Sequence, residues 1–469
     1  MDYLAGNVQL VIAIFDENLS NGYINNILKR NTYIHSFISM LLSIEKGGVI
    51  AIDGEWGSGK TYFVHQVKWL LDSTNKNIDN EVESVLSRTV PKLDYIKEHK
   101  YKAFYYDAWK HDKSNNPFFT LLRSMILTFG GTDYFKEEMG FIKSLLKGAS
   151  HIVKGVTPID VESIFKGTKT LCGINDEEQF SELEFIEQMD VQVNSFLDYI
   201  CEGQYEKLVI FIDELDRCKP SFAVELLEII KHYFNHDKVI FVLSTNLSEF
   251  QHCIKQYYGE GFNGWKYLDR FIDLRLTLPK ITAEEYCKYL WSHSYNDRID
   301  DLAICCAQHF DLTLREIERY NNLVKISIQN ALEKRHKTNG FREDFQNIYT
   351  FWIPIVLAIK LHSGNEYFDF IAGKRYSLIE SLMQIEKYRN SAMALLLNEY
   401  EKNNQNYDLV YEKVEYYYEK IFLSGLSKDF SNKLSESIKF DDLRIDETVK
   451  KNLINIVNLF STWAVYDVE

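Results

Sequence analysis

Between Gly48 and Thr61 the chain reads GVIAIDGEWGSGKT: an apolar run, a glycine-rich turn, then a lysine and a hydroxyl residue. Gly54 is followed after four residues by Gly59, Lys60 and Thr61, the spacing GxxxxGK(S/T), and the helix-like YFVHQVKWLL comes next. A strand that must pass through such a turn into a helix has few folds open to it. Glycines let the backbone curl so that successive N–H groups point inward at phosphate oxygens, and the following helix adds the partial positive charge of its amino end. A random chain of this length matches the pattern about one or two times in a hundred. The spacing assigns a nucleotide cradle to Gly54, Glu55, Trp56, Gly57, Ser58, Gly59, Lys60, Thr61 and Tyr62. Lys60 is expected to reach the β- and γ-phosphates and Thr61 to hold Mg2+.

Such a loop needs a carboxylate for the metal at the end of a neighbouring buried strand. KLVIFIDELDRC supplies it: five apolar residues, Leu208 to Ile212, lead into Asp213 and Glu214. Asp213 is the expected Mg2+ ligand, and Glu214 the group that polarises the attacking water. A further apolar run, KVIFVLSTN, ends in Ser244, Thr245 and Asn246. Asn246 is a candidate γ-phosphate contact and equally a cap for the LSEFQHCIKQYY helix, and both roles can hold together.

Strand-like runs (VIAID, YKAFYYDAW, KLVIFID, KVIFVLST) alternate with helical ones up to about residue 280. That alternation predicts an α/β fold, a parallel sheet with flanking helices. Beyond Pro279 the pattern turns to long Tyr- and Leu-rich segments of helical period. The expected organisation is an α/β domain over residues 1–279, with a helical insertion at 130–200, and an all-helical C-terminal domain over 280–469.

A net charge of −15 argues against wholesale wrapping of nucleic acid, although a local basic groove is allowed. The seven cysteines show no CxxC pair and read as buried thiols of a reducing compartment. The opening MDYLAGNVQLVIAIFDE lacks the pattern of a signal peptide, and the longest apolar run, Tyr349 to Ile359, is well short of the roughly 20 residues of a membrane span. A cytoplasmic chain without a transmembrane segment is expected, with that run as a buried helix.

VIAIDGEWGSGKT and VIFIDELDRC together resemble the KAP family of P-loop NTPases, related to the STAND and AAA-like ATPases. YKAFYYDAWKHDKSNNPFFTLL, YLDRFIDLRLTLP and LTLREIERYNNL are similar to further family stretches, so the likeness covers roughly residues 25–325. The family usually has Asp at the position of Glu214 and Asn at that of Asp107; the first difference keeps a carboxylate. Its transmembrane insertion is replaced here by FIKSLLKGASHIVK (141–154), an amphipathic basic segment suited to a membrane surface, a partner, or ordinary core packing.

The resemblance implies an ATP- and Mg2+-dependent hydrolase. It also implies a homo-oligomer or partner protein controlled by nucleotide state, in a setting that includes phage exclusion. Among arginines, Arg270 is the first candidate to act in trans on the γ-phosphate, with Arg275 beside it, and Arg315 the candidate sensor in the helical domain. Arg217 is expected to anchor Asp216 or a neighbouring subunit. Arg30 and Tyr33 are candidate contacts to the base, in a segment that serves equally as an amphipathic core helix. The alternative function is a nucleotide-gated scaffold with little turnover that recruits a separate effector.

Overall fold

The computed structural model describes residues 16–75, 80–90, 93–114, 116–129, 193–201, 205–234, 236–291, 297–333, 343–397, 401, 407–423 and 447–458. The segment 141–154 and most of the expected insertion, residues 130–192, lie outside them. The chain divides into two compact units, with the boundary between Pro279 and Lys280.

Five strands form the sheet of the first unit: β1 (Gly48–Asp53), β2 (Tyr101–Asp107), β3 (Lys207–Asp213), β4 (Val239–Thr245) and β5 (Leu274–Thr277). Their order is β2-β3-β4-β1-β5, and every neighbouring pair is parallel. All seven residues of β3 and of β4 are buried, as a parallel sheet covered on both faces requires. Successive side chains alternate faces. Ile210, Ile212, Phe241 and Leu243 enter the core formed with the Pro117–Phe129, Pro220–Tyr233 and Leu247–Tyr258 helices. Val209, Phe211, Ile240 and Val242 enter the opposite core with α2 (Asn31–Ser43) and α3 (Lys60–Thr74). The four runs expected as strands are β1 to β4. β5 is an edge strand of four residues, largely exposed; it lies outside those four runs, although IDLRLTL (272–278) alternates apolar and polar residues.

Register fixes what stands at the carboxyl edge. Asp107 is opposite Asp213, Asp213 opposite Ser244, and Asp53 opposite both Thr245 and Thr277. In open α/β sheets this edge is where ligands bind.

The second unit is helical wherever it is described. The apolar run Tyr349–Ile359 lies within the Glu343–His362 helix, where Trp352 is fully buried. No helix among the described residues is long and apolar enough to cross a membrane. Thr313 and Glu316 form a reciprocal cap at the start of the Leu314–Glu333 helix: Glu316 Oε2 accepts from Thr313 N at 2.8 Å, and Thr313 Oγ1 accepts from Glu316 N at 3.4 Å.

Phe211 is completely buried on β3, so Phe211→Ala is expected to cost about 3–5 kcal/mol, read as a lower denaturant midpoint for the first unit. A loss below about 1 kcal/mol would contradict this packing.

Candidate functional site

The loop between β1 and α3 is shaped by its glycines. Gly57 and Gly59 adopt left-handed backbone at φ 77° and 84°, and Gly59 caps α3. At Gly54 a Cβ would stand 2.9 Å from Ser58 Oγ, so a side chain there would require the Ser58 hydroxyl to shift. Lys60 is buried; its Nζ donates to Gly54 O at 2.5 Å and to Glu55 O at 3.1 Å. Burial lowers the pKa of this ammonium, while the carboxylates of Asp216, Asp213 and Asp53 raise it. Thr61 lies in the first turn of α3. Tyr62 has its hydroxyl on Asn18 O at 3.2 Å, in α1 (Asp16–Ile24), so its ring serves helix packing.

Asp213, at the end of β3, is 1% exposed, and both of its oxygens are held. Tyr105 OH donates to Oδ2 and Glu214 N to Oδ1, each at 3.0 Å. The Tyr105 ring packs on His65 of α3, with centroids 4.1 Å apart. Glu214 has left-handed backbone at φ 60°, which costs a non-glycine residue about 1–2 kcal/mol. It opens the tight turn Leu215–Arg217, and Arg217 Nη1 meets Glu214 Oε1 at 2.9 Å. Burial raises the pKa of Glu214 and Arg217 lowers it. The expected partnership of Arg217 with Asp216 is therefore corrected. The guanidinium pairs with Glu214 and lies over Trp109, while Asp216 receives Trp56 Nε1 at 2.5 Å and Thr245 Oγ1 at 3.0 Å. Asp107 caps the short helix after β2, accepting from Lys110 N at 3.0 Å.

At the tip of β4, Asn246 Oδ1 accepts from Ser248 N and Glu249 N at 3.1 and 3.3 Å, which is the capping role. Asp53 Oδ1 accepts from Leu247 N at 3.0 Å and joins the root of the loop to the same helix.

The structure thus gathers the loop from Gly54 to Thr61 with Asp213, Glu214 and Asn246. It does not gather Arg270 or Arg275 there. Asp273 Oδ2 binds Val49 N at the amino end of β1, and the exposed Arg270 precedes it, so about 17 Å of strand separates that level from the loop. Arg275 is held by Asp269 at 2.5 Å and lies over Trp265. Arg315 is exposed on the Leu314–Glu333 helix of the second unit.

Near the carboxyl end of β5 an apolar cavity of about 180 Å3 is lined by Tyr33, Ser36, Phe37, Phe63, Thr277 and Leu278, among others. Tyr33 lines it. Arg30 is instead structural: it is buried, and it donates to Pro279 O at 2.6 Å and to Gly59 O at 3.4 Å. Burial pulls its pKa down to about 10. The sequence carried no sign of Tyr105 or of the Trp56–Asp216 bond, because each joins residues more than 100 positions apart.

Gly59→Ala is expected to cost about 1 kcal/mol of stability through its left-handed backbone, measured as a lower melting temperature. An unchanged or higher melting temperature would contradict the loop geometry.

The model of the KAP family P-loop domain matches residues 30–330. No curated protein matches the chain. Among solved structures, the ORC2 protein of Aeropyrum pernix, described in ADPNP and ADP complexes, is similar at 12% identity over 98% of this chain and 97% of that chain, with a TM-score of 0.32. With a family match over well more than half its length and both strand-end motifs inside the match, this chain belongs to the KAP family of P-loop NTPases.

Proposed function

We propose that this chain binds and hydrolyses ATP with Mg2+ and that its nucleotide state controls assembly or partner binding. The observation that carries the reading is Lys60, a buried ammonium on the curled loop under the influence of Asp216, Asp213 and Asp53. A loop with inward N–H groups beside a strand-end carboxylate is chemistry suited to a nucleoside triphosphate.

The donors suit Mg2+. Asp213 offers one oriented, buried carboxylate and Thr61 one hydroxyl, and no cluster of three or more His, Cys, Asp or Glu competes among the described residues. Mg2+ takes such sparse protein ligation when phosphates and water complete its shell. Bound there, it would neutralise charge on the β- and γ-phosphate oxygens. Lys60 and the loop N–H groups hold the phosphates in line, and Glu214 orients the attacking water and takes its proton at Oε2, while Arg217 holds Oε1. Asn246 meets the γ-phosphate through its amide nitrogen, since Oδ1 caps the helix. Arg270 acts in trans from a second copy, because its own chain places it at the opposite edge of the sheet. Arg315 reads nucleotide state from the helical unit. The base enters the cavity at Tyr33, where Ser36 and Thr277 are the side-chain hydrogen-bonding groups beside the Tyr33 hydroxyl. The phage-exclusion setting rests on the family resemblance alone.

The Glu214–Arg217 pair also favours a second reading, a nucleotide-gated scaffold with slow turnover, because it engages the base that hydrolysis requires.

Steady-state hydrolysis with light scattering separates the two readings. Lys60→Ala is expected to lower turnover about a hundredfold or more. Glu214→Gln is expected to abolish turnover while trapping an ATP-bound assembly. Binding without turnover in the wild type would favour the scaffold, and no binding would refute both.

The hydrolytic reading also fixes a pH dependence. Glu214 works ionised, and burial raises its pKa from 4.5, so the acid limb of kcat lies above that value. Arg217 favours the ionised form, so Arg217→Ala moves the limb to higher pH. An unmoved or lowered limb in the pH profile of that variant counts against Glu214 as the base.

A further inference from the structure

Asp216 is a carboxylate near this edge that hydrolysis leaves without a task. It is buried, and its two oxygens are bound by different elements of the first unit. Oδ2 accepts from Trp56 Nε1 in the phosphate loop at 2.5 Å, and Oδ1 accepts from Thr245 Oγ1 at the tip of β4 at 3.0 Å. Its carbonyl lies 3.6 Å from Cys253 Sγ of the Leu247–Tyr258 helix. Trp56 is 48% exposed, so packing alone does not fix its ring, and the bond to a carboxylate is what orients it. Three residues further on, Gly59 hands the chain to Lys60. Asp216 also stands first among the carboxylates acting on the Lys60 ammonium.

We propose that Asp216 is a positioning residue for the phosphate loop, holding the loop through the Trp56 indole and tying it to the tip of β4 through the Thr245 hydroxyl. This rests on the ATP reading above. The loop binds phosphate with backbone N–H groups whose directions depend on its curl. A side chain that pins the curl at Trp56 improves affinity for the triphosphate without touching it. The same carboxylate couples the loop to the start of the Leu247–Tyr258 helix, which Asp53 also binds through Leu247 N.

The test is a double-mutant cycle on ATP hydrolysis with Asp216→Asn, Trp56→Phe and Thr245→Val, each assayed for KM, kcat and melting temperature. Trp56→Phe keeps the ring and loses the N–H; it is expected to raise KM for ATP about tenfold, with a much smaller effect on kcat. Asp216→Asn removes the charge that strengthens both bonds and is expected to raise KM as well, and adding Trp56→Phe to it is expected to raise KM by less than Trp56→Phe does alone, because the two act through one bond. Melting temperatures stay near that of the wild type for Trp56→Phe, which alters an exposed side chain. Should Asp216→Asn fail to fold, the cycle between Trp56→Phe and Thr245→Val carries the test through the same non-additivity. Unchanged KM in Trp56→Phe, or fully additive effects across the cycle, would overturn the inference while the wild type still turns over ATP. A wild type that neither binds nor hydrolyses ATP would instead overturn the nucleotide reading, and this inference with it.

Discussion

Parallel pairing of β3 with β4, and of β4 with β1, is the constraint on which the rest depends. Side chains alternate along a strand, so a slip of one residue would turn Val209 and Phe211 out of one core and Ile210 and Ile212 out of the other. Because both cores are apolar and buried, that slip is expensive, and the register is set by hydrophobic burial rather than by the site. The site inherits its geometry from it. Asp107, Asp213, Ser244, Thr245 and Asp53 fall at one edge because the apolar runs end together.

That edge concentrates negative charge in partly buried surroundings, which is costly unless each carboxylate has donors. Asp213 has Tyr105 and the Glu214 amide, Asp216 has Trp56 and Thr245, Asp53 has the Leu247 amide, and Glu214 has Arg217. Lys60 is the cation set among them, with its pKa lowered by burial and raised by those acids. The satisfied donors fix where each carboxylate points, and the left-handed backbone at Glu214 persists because the turn around it is held by these bonds.

Much of this was legible in the sequence because it is local. Gly54, Gly59, Lys60 and Thr61 carry their geometry in their spacing, and the apolar run before Asp213 announces a buried strand end. What stayed hidden depends on tertiary contact. β5 has a period of two in IDLRLTL, but its four paired residues form an edge strand that only its pairing with β1 defines, and Tyr105 and Asp216 acquire their meaning from partners brought near by the sheet. Arg30 looked like a contact to the base because arginine suggests recognition, yet its guanidinium is spent on the carbonyls of Gly59 and Pro279. Arg217 takes its partner from the backbone: the left-handed Glu214 and the tight turn after it bring the guanidinium onto Glu214 rather than Asp216.

The central claim is that the curled loop holds a triphosphate. Isothermal titration of the chain with a non-hydrolysable ATP analogue and Mg2+ tests it without requiring turnover. Saturable binding, much weaker when the triphosphate is replaced by adenosine, is the predicted result. Equal affinity for adenosine, or no heat of binding at all, would contradict it.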